Sequence, residues 1–418
     1  MRQFQIPIFQ LITSLAKTVD LINPLLSNHH NRVAYIAYQL AKEFGFSIRD
    51  REQILLAGLL HDVGAVSLPG RMELLHFDTV NIGLHCELGY RLLKKFTPFQ
   101  GIANIIRFHH MSWEEDKKNT NQSEIIPLAS HILHLADRIS VLVEDEKEIF
   151  HQVPEIIKKI EQHTNIMFHP QIVECFKTIC HKEEFWLDII CNREVHYIDS
   201  MVPFETLLLN IEELLSLADV LAKIIDYRSP FTASHSSGVS AVAEAIASLL
   251  PFSKQECLIM RVAGLLHDLG KVAIPIEILE KKSSLSEAEW NIMRRHTYYG
   301  YHILQPIKDL QVVNEWGSLH HERIDGKGYP FHLTGDEISL GSRVMAVADV
   351  FTAITEDRPY RRGMDDQDVI KIMKNQANNG VLDSKIVSIL LKNFNDIQDV
   401  LRQRIEQSKQ QYQCFVVD

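Results

Sequence analysis

The run Ala57-Gly-Leu-Leu-His-Asp-Val-Gly64 returns as Ala263-Gly-Leu-Leu-His-Asp-Leu-Gly270, 206 positions later, with only Val63 and Leu269 differing. A repeat this exact within 418 residues points to one structural unit used twice, with two domains of ordinary size. The same shift pairs Asp20 with Asp226, Pro24 with Pro230, His29 with His235 and Val33 with Val239. Downstream it grows to 211 for His85 with His296, Gly89 with Gly300 and His109-His110 with His320-His321, then to 212 for Ala136-Asp137 with Ala348-Asp349. The boundary is expected near residue 200, giving domains 1–200 and 201–418.

Apolar residues spaced three and four apart predict helices over Arg32 to Phe44, Gln53 to His61, Val239 to Leu250 and Gln255 to His267. Ser286-Glu-Ala-Glu289 reads as a capping box opening the helix that leads to His296. Strand signals are short and rare. The expected fold is all-α, two helical bundles in tandem. With a net charge of -11, a broad basic face for DNA or RNA is not expected, although metals and a few local cations can reverse the potential inside one pocket. Neither a leader sequence nor a run of about twenty apolar residues is legible, so the expectation is a cytoplasmic protein that does not enter a membrane. Six cysteines without a CxxC pair predict reduced, mostly buried thiols.

Histidine is the unusual component, at 21 residues. Both halves carry the order His-Asp, His, His-His, Asp, all side chains able to bind metal. His267 and Asp268 are adjacent on one helix, so their side chains diverge by about 100° and reach neighbouring ions in one pocket, with Asp268 placed to bridge them. Imidazoles and carboxylates without cysteine suit two divalent ions, Fe or Mn first and Ni or Zn as alternatives, in a catalytic centre. Two such ions roughly 3.5–4 Å apart can hold a bridging hydroxide and stabilise charge on a phosphoryl group, which makes phosphodiester hydrolysis the natural reaction.

Leu265-Leu-His-Asp-Leu-Gly-Lys271 together with His320-His-Glu-Arg-Ile-Asp-Gly-Lys-Gly-Tyr-Pro330 resembles the double signature of the HD-GYP phosphodiesterase family. Ala273 to Leu279, Met293 to His296, Ala346-Val-Ala-Asp349 and Arg358-Pro-Tyr-Arg361 extend the likeness over roughly residues 220 to 395. The resemblance implies an all-helical fold and a cyclic dinucleotide substrate, cyclic di-GMP or 3'3'-cyclic GMP-AMP, hydrolysed to a linear dinucleotide. It makes His267, Asp268, His296, His320, His321 and Asp349 metal ligands and Lys271 a catalytic cation beside them. It also assigns Arg358 and Arg361 to substrate phosphates. Tyr329 either stacks on a base or holds its loop. Asp226 is a candidate ligand for a third ion, one methylene shorter than the Glu some relatives use, and Thr352 stands where the family usually has Asp.

In the first half His61, Asp62, His85, His109, His110 and Asp137 preserve the ligand pattern, so a metal site is a candidate there too. Ala65 replaces the lysine, the Gly-Tyr-Pro loop is missing, and Glu114-Glu115 would repel a phosphate diester. That half is expected to be a degenerate regulatory or structural domain packing on the catalytic one, with a homodimer also open, and Glu114 to Lys118 to be a solvated loop. Two other readings stay open: an HD-type hydrolase of nucleoside triphosphates or alarmones, and a non-catalytic module that binds nucleotide or protein.

Overall fold

A computed structural model describes residues 3–21, 28–65, 77, 83–118, 125–191, 204–229, 232–357 and 363–417. The chain separates into two compact units, Pro7–Thr206 and Leu207–Asp418, and Met1–Ile6 belongs with the second. The first six residues therefore leave the domain that the repeat alone assigns them to. The reason is a two-stranded ribbon, β1 (Phe4–Pro7) paired with β2 (Thr206–Leu209), which the helical periodicity did not announce. Phe4 and Ile6 point alternately inward from β1 and are buried, and the Gln5 amide donates to the Asp309 carboxylate at 2.7 Å.

Apart from that ribbon the described architecture is helical, as expected. In the first unit the helix His29–Phe44 lies between Ile48–Leu60 and Leu128–Leu142. In the second unit His235–Ser248 takes the same place between Lys254–Leu266 and Leu340–Thr355, with the long helix Phe394–Val417 also against it. The sequence fixes this crossing through a glycine. A Cβ on Gly264 would fall 2.5 Å from the Ser240 Cα, and one on Gly58 would fall 2.6 Å from the Ala34 Cα. The helices thus meet backbone to backbone, and this is why Ala-Gly precedes Leu-Leu-His-Asp in both copies.

Helix ends follow their caps. Ser253 and Glu256 form a capping box at the start of Lys254–Leu266, and Ser286 with Glu289 forms the expected one ahead of Glu287–Met293. That second helix stops at Met293, however, and His296 opens a separate helix, His296–Leu304. The charged run at Glu114 is a short exposed helix, Trp113–Lys118, rather than a loop, held by a Glu114 to Lys118 pair of 2.8 Å. The thiols also depart from expectation: Cys86 and Cys180 are buried, but Cys175 and Cys257 are half-buried and Cys191 and Cys414 exposed. Among the described residues no helix is long and apolar enough to cross a membrane.

Candidate metal centre

Three backbone carbonyls set the histidines of the second unit. The Nδ1 of His267 lies 2.7 Å from the Gly264 carbonyl, that of His296 2.7 Å from Met293 and that of His320 2.7 Å from Gly317. A carbonyl only accepts, so each Nδ1 carries the proton and each Nε2 presents a lone pair inward, the tautomer a metal ligand needs. Each partner sits three residues earlier in the chain, so the final turn of the helix itself aims the ring.

The inward atoms converge in two trios. One is His296, His320 and His321, the other His235, His267 and Asp268, with the donor atoms of each trio within 4.8 Å of one another. Asp268 joins them: its Oδ2 is 3.1 Å from His267 Nε2 and its Oδ1 is 3.5 Å from His296 Nε2. Asp349 Oδ1 approaches His235 Nε2 at 3.3 Å and His267 Nε2 at 3.9 Å. All six expected ligands therefore meet in one place. His267 Nε2 and Asp268 Oδ1 are buried with no hydrogen-bond partner, an arrangement that costs free energy unless a cation occupies the space between them. The donor set and its orphaned atoms fit divalent metals.

His235 is the ligand-type residue that sequence reasoning left out. Its signal was available, because the same shift of 206 pairs it with His29. Its Nδ1 lies 3.0 Å from the Glu356 carboxylate. Burial acts to lower its pKa, but Glu356 and then Asp349 outweigh that and push it up to about 10. Burial lowers His296 to about 3 and holds His320 well below the usual histidine value, so these rings are neutral and ready to bind. Burial works against the Asp268 carboxylate, yet His267 and Lys271 hold its pKa well below normal. Asp226 belongs to neither trio but is near enough to His235, His267 and Asp268 for their charges to act on it. It accepts from the Ser236 hydroxyl at 2.9 Å and the Ser236 amide at 3.2 Å, and burial raises it to about 7.

A cavity of about 590 Å³ opens onto these groups, lined also by Lys271, Lys281, Lys282, Trp290 and Tyr329. Lys271 Nζ is 2.5 Å from Asp268 Oδ2. Glu322 explains much of the following signature: its carboxylate accepts from the amides of Phe331 at 2.7 Å and Leu333 at 3.0 Å, tying the Gly-Tyr-Pro loop back to the paired histidines. The Tyr329 ring then lies 4.8 Å from that of His321 and 6.0 Å from that of Trp290. Arg358 and Arg361 lie outside the described residues.

The first unit repeats the arrangement. His61 Nδ1 and His109 Nδ1 face the carbonyls of Gly58 and Ile106 at 2.8 and 2.7 Å. Asp62 lies 3.4 Å from His61 Nε2 and 3.5 Å from His85 Nε2, and Asp137 Oδ1 lies 3.4 Å from His29 Nε2. His110 joins His85 and His109. All six candidate residues of this half are thus together, without the lysine.

Comparison with known proteins agrees with the duplication. Two family models, both described as HD domain, match residues 26–142 and 219–386. The chain is 32% identical over 404 residues to the 3'3'-cGAMP-specific phosphodiesterase 1 of Vibrio cholerae, covering 94% of this chain and 93% of that protein. It is 43% identical over 143 residues to a cyclic di-GMP phosphodiesterase response regulator of Xanthomonas campestris, a match covering 34% of this chain and 38% of that one. A crystal structure of a cyclic GMP-AMP-specific phosphodiesterase from V. cholerae shares the fold with a TM-score of 0.63, at 22% identity over 94% of this chain and 98% of that chain.

Proposed function

Since this chain belongs to the HD-GYP family of tandem HD-domain cyclic-dinucleotide phosphodiesterases, we propose that its second unit hydrolyses one phosphodiester of 3'3'-cyclic GMP-AMP to a linear dinucleotide. The centre formed by His235, His267, Asp268, His296, His320, His321 and Asp349 is the site of that reaction. The observation that carries the reading is the combination, in this half, of a converged ligand set with a lysine at its edge and a cavity in front of it. The substrate preference rests on coverage: likeness to the relative named for 3'3'-cGAMP runs the length of the chain, whereas likeness to the cyclic di-GMP enzyme stops at about a third of it.

The bound divalent metals would supply Lewis acidity and an activated water, Fe or Mn being the first choices for such nitrogen and oxygen donors. The protein's own groups do the positioning. Lys271 offers a point charge to a non-bridging phosphate oxygen and offsets charge on the leaving alkoxide. Lys281, which is paired with Glu289, and Lys282 lie on the cavity wall and supply positive potential for the second phosphate, a task that the family resemblance also gives to Arg358 and Arg361. Trp290 and Tyr329 give apolar faces against which a purine can lie. Asp226 acts through Ser236 on the helix that carries His235 and is the candidate to approach a third ion. The first unit, with Ala65 and no Gly-Tyr-Pro loop, serves as a regulatory or structural domain.

The test is incubation of protein loaded anaerobically with Fe(II), and separately with Mn(II), with 3'3'-cyclic GMP-AMP and with cyclic di-GMP. Linear product is expected faster from the first substrate, lost in Asp268→Ala and kept in Asp62→Ala. Absence of product from metal-loaded protein with both substrates would overturn the reading.

A further inference from the structure

The two centres differ at one donor position in a way that changes the metal they select. His85, Cys86, His109 and His110 place their ligand atoms within 4.8 Å of one another, with Cys86 Sγ 3.6 Å from His85 Nε2 and 3.5 Å from His109 Nδ1, the ring nitrogen that also faces the Ile106 carbonyl. The corresponding trio in the second unit is His296, His320 and His321, and the residue after His296 is Thr297, whose hydroxyl turns back to the Arg294 carbonyl at 3.3 Å. The first unit thus adds a sulfur to an otherwise equivalent set of imidazoles. His110 has both ring nitrogens buried with no hydrogen-bond partner, and Asp62 Oδ1 is likewise without one, although both side chains are only 4% exposed. Buried polar atoms left in this state point to an ion.

A second difference lies at the other end of the centre. Asp137, which faces His29 and His61, is already paired with a guanidinium: Arg138 contacts its Oδ2 through two nitrogens, at 2.6 and 3.1 Å, and is 1% exposed. The matching position in the second unit is Val350. A buried cation at this point takes up the charge of one carboxylate and opposes a dication beside it. On the His235 side of the other centre the equivalent ring faces the Glu356 carboxylate, whereas His29 Nδ1 meets only the Ser140 hydroxyl at 3.1 Å. The carboxylate of the Asp137 end is thus partly neutralised, although His29, His61 and Asp137 still bring their ligand atoms within 4.8 Å of one another, and the other end is the one that carries a sulfur.

We propose that the first unit binds a borderline-soft divalent ion, zinc or cobalt, through His85, Cys86, His109 and His110, with Cys86 as a thiolate ligand. The ion displaces the thiol proton to solvent on binding. A thiolate added to nitrogen donors favours zinc over the metals that suit an oxygen and nitrogen set, and a fourth protein donor fills the position a catalytic ion keeps for water. The site is structural or sensory rather than hydrolytic, and it stands whether or not the second unit is an enzyme.

The experiment is titration of the full-length, chelator-stripped chain with Co(II), followed by the sulfur-to-cobalt charge-transfer absorption in the near ultraviolet. Nitrogen and oxygen ligands do not produce that band, so cobalt in the other centre is silent. The band is expected in the wild type and in Asp268→Ala, and its loss is expected in Cys86→Thr, which installs the residue the second copy uses. Zinc-edge X-ray absorption on wild-type protein loaded below stoichiometry should find a sulfur neighbour, and this measurement needs no variant to fold. Cobalt bound without the band, a band that survives in Cys86→Thr, or zinc with no sulfur neighbour would each overturn the proposal.

Discussion

Gly270 offers the sharpest test of how the centre is held. It follows the His-Asp pair in the tight turn Leu269–Ala273, where that turn meets the helix of His296. A Cβ there would lie 1.9 Å from the His296 carbonyl oxygen and 2.5 Å from the Gly300 amide nitrogen. Real Cβ contacts stay beyond 3.0 Å, and the obstructing atoms are backbone, so Gly270→Ala must part the two segments by about 1.1 Å. His296 moves with its helix, and its 3.5 Å approach to Asp268 opens by a similar amount. Overpacking of this kind costs about 1–3 kcal/mol of stability. Misplacement of a catalytic constellation by about 1 Å costs roughly 10²-fold in rate.

Gly64→Ala is the matched control, because its Cβ would lie 2.0 Å from the His85 carbonyl in the first unit. Both variants should unfold at lower denaturant concentration by similar increments. Only Gly270→Ala should lose kcat, by about two orders of magnitude at saturating metal and substrate. The reasoning fails if Gly270→Ala keeps wild-type turnover, or if Gly64→Ala loses as much activity while remaining folded.

Lys271→Met should lower kcat by about 10²–10³-fold with metal content unchanged, the usual cost of removing one charge-stabilising donor, and Lys271→Arg should restore little of it; metal analysis beside steady-state kinetics checks both. The raised pKa of His235, about 10 in the metal-free protein, means that an ion binding at Nε2 must expel a proton at neutral pH. Metal affinity at this position should therefore rise with pH up to about 10 and then level off, and Glu356→Gln should bring that ceiling down; calorimetric titrations in buffers of different ionisation enthalpy would count the proton. For the metal-free fold the same shift is stabilising, with its contribution full below 6.5 and lost as pH rises through about 10. Ser253→Ala removes the capping box of the helix that ends at His267 and should cost about 1 kcal/mol in denaturant unfolding while leaving kcat unchanged.

The duplication made most of this legible, because a repeated ligand order is a contact map written twice. His267, Asp268, His296, His320, His321 and Asp349 converge since each sits at the end or on the inner face of a helix whose periodicity the sequence displays. What sequence reasoning passed over follows a physical pattern. His235 lies outside the two signature runs, and although the repeat pairs it with His29, its part in the centre depends on the packing of His235–Ser248 against Leu340–Thr355, a long-range contact. β1 is four residues long and pairs with a segment some two hundred positions away, so neither strand carries enough local signal to be read alone.

Cys86 and Arg138 are a different case, because each looks ordinary within its own helix. Their meaning comes only from comparison with Thr297 and Val350 at the same places in the second copy. Read singly, a buried cysteine and an arginine next to an aspartate are core packing and an ion pair. Set in one centre, the thiol adds a soft donor at one end while the guanidinium occupies the carboxylate at the other. Erosion of the first copy is therefore not a uniform loss of parts. The lysine and the substrate loop are gone, but the His61 and His109 rings keep their carbonyl partners and the new sulfur stands among the imidazoles, a combination that on the proposal above would retain a metal without the groups that would act on a phosphodiester.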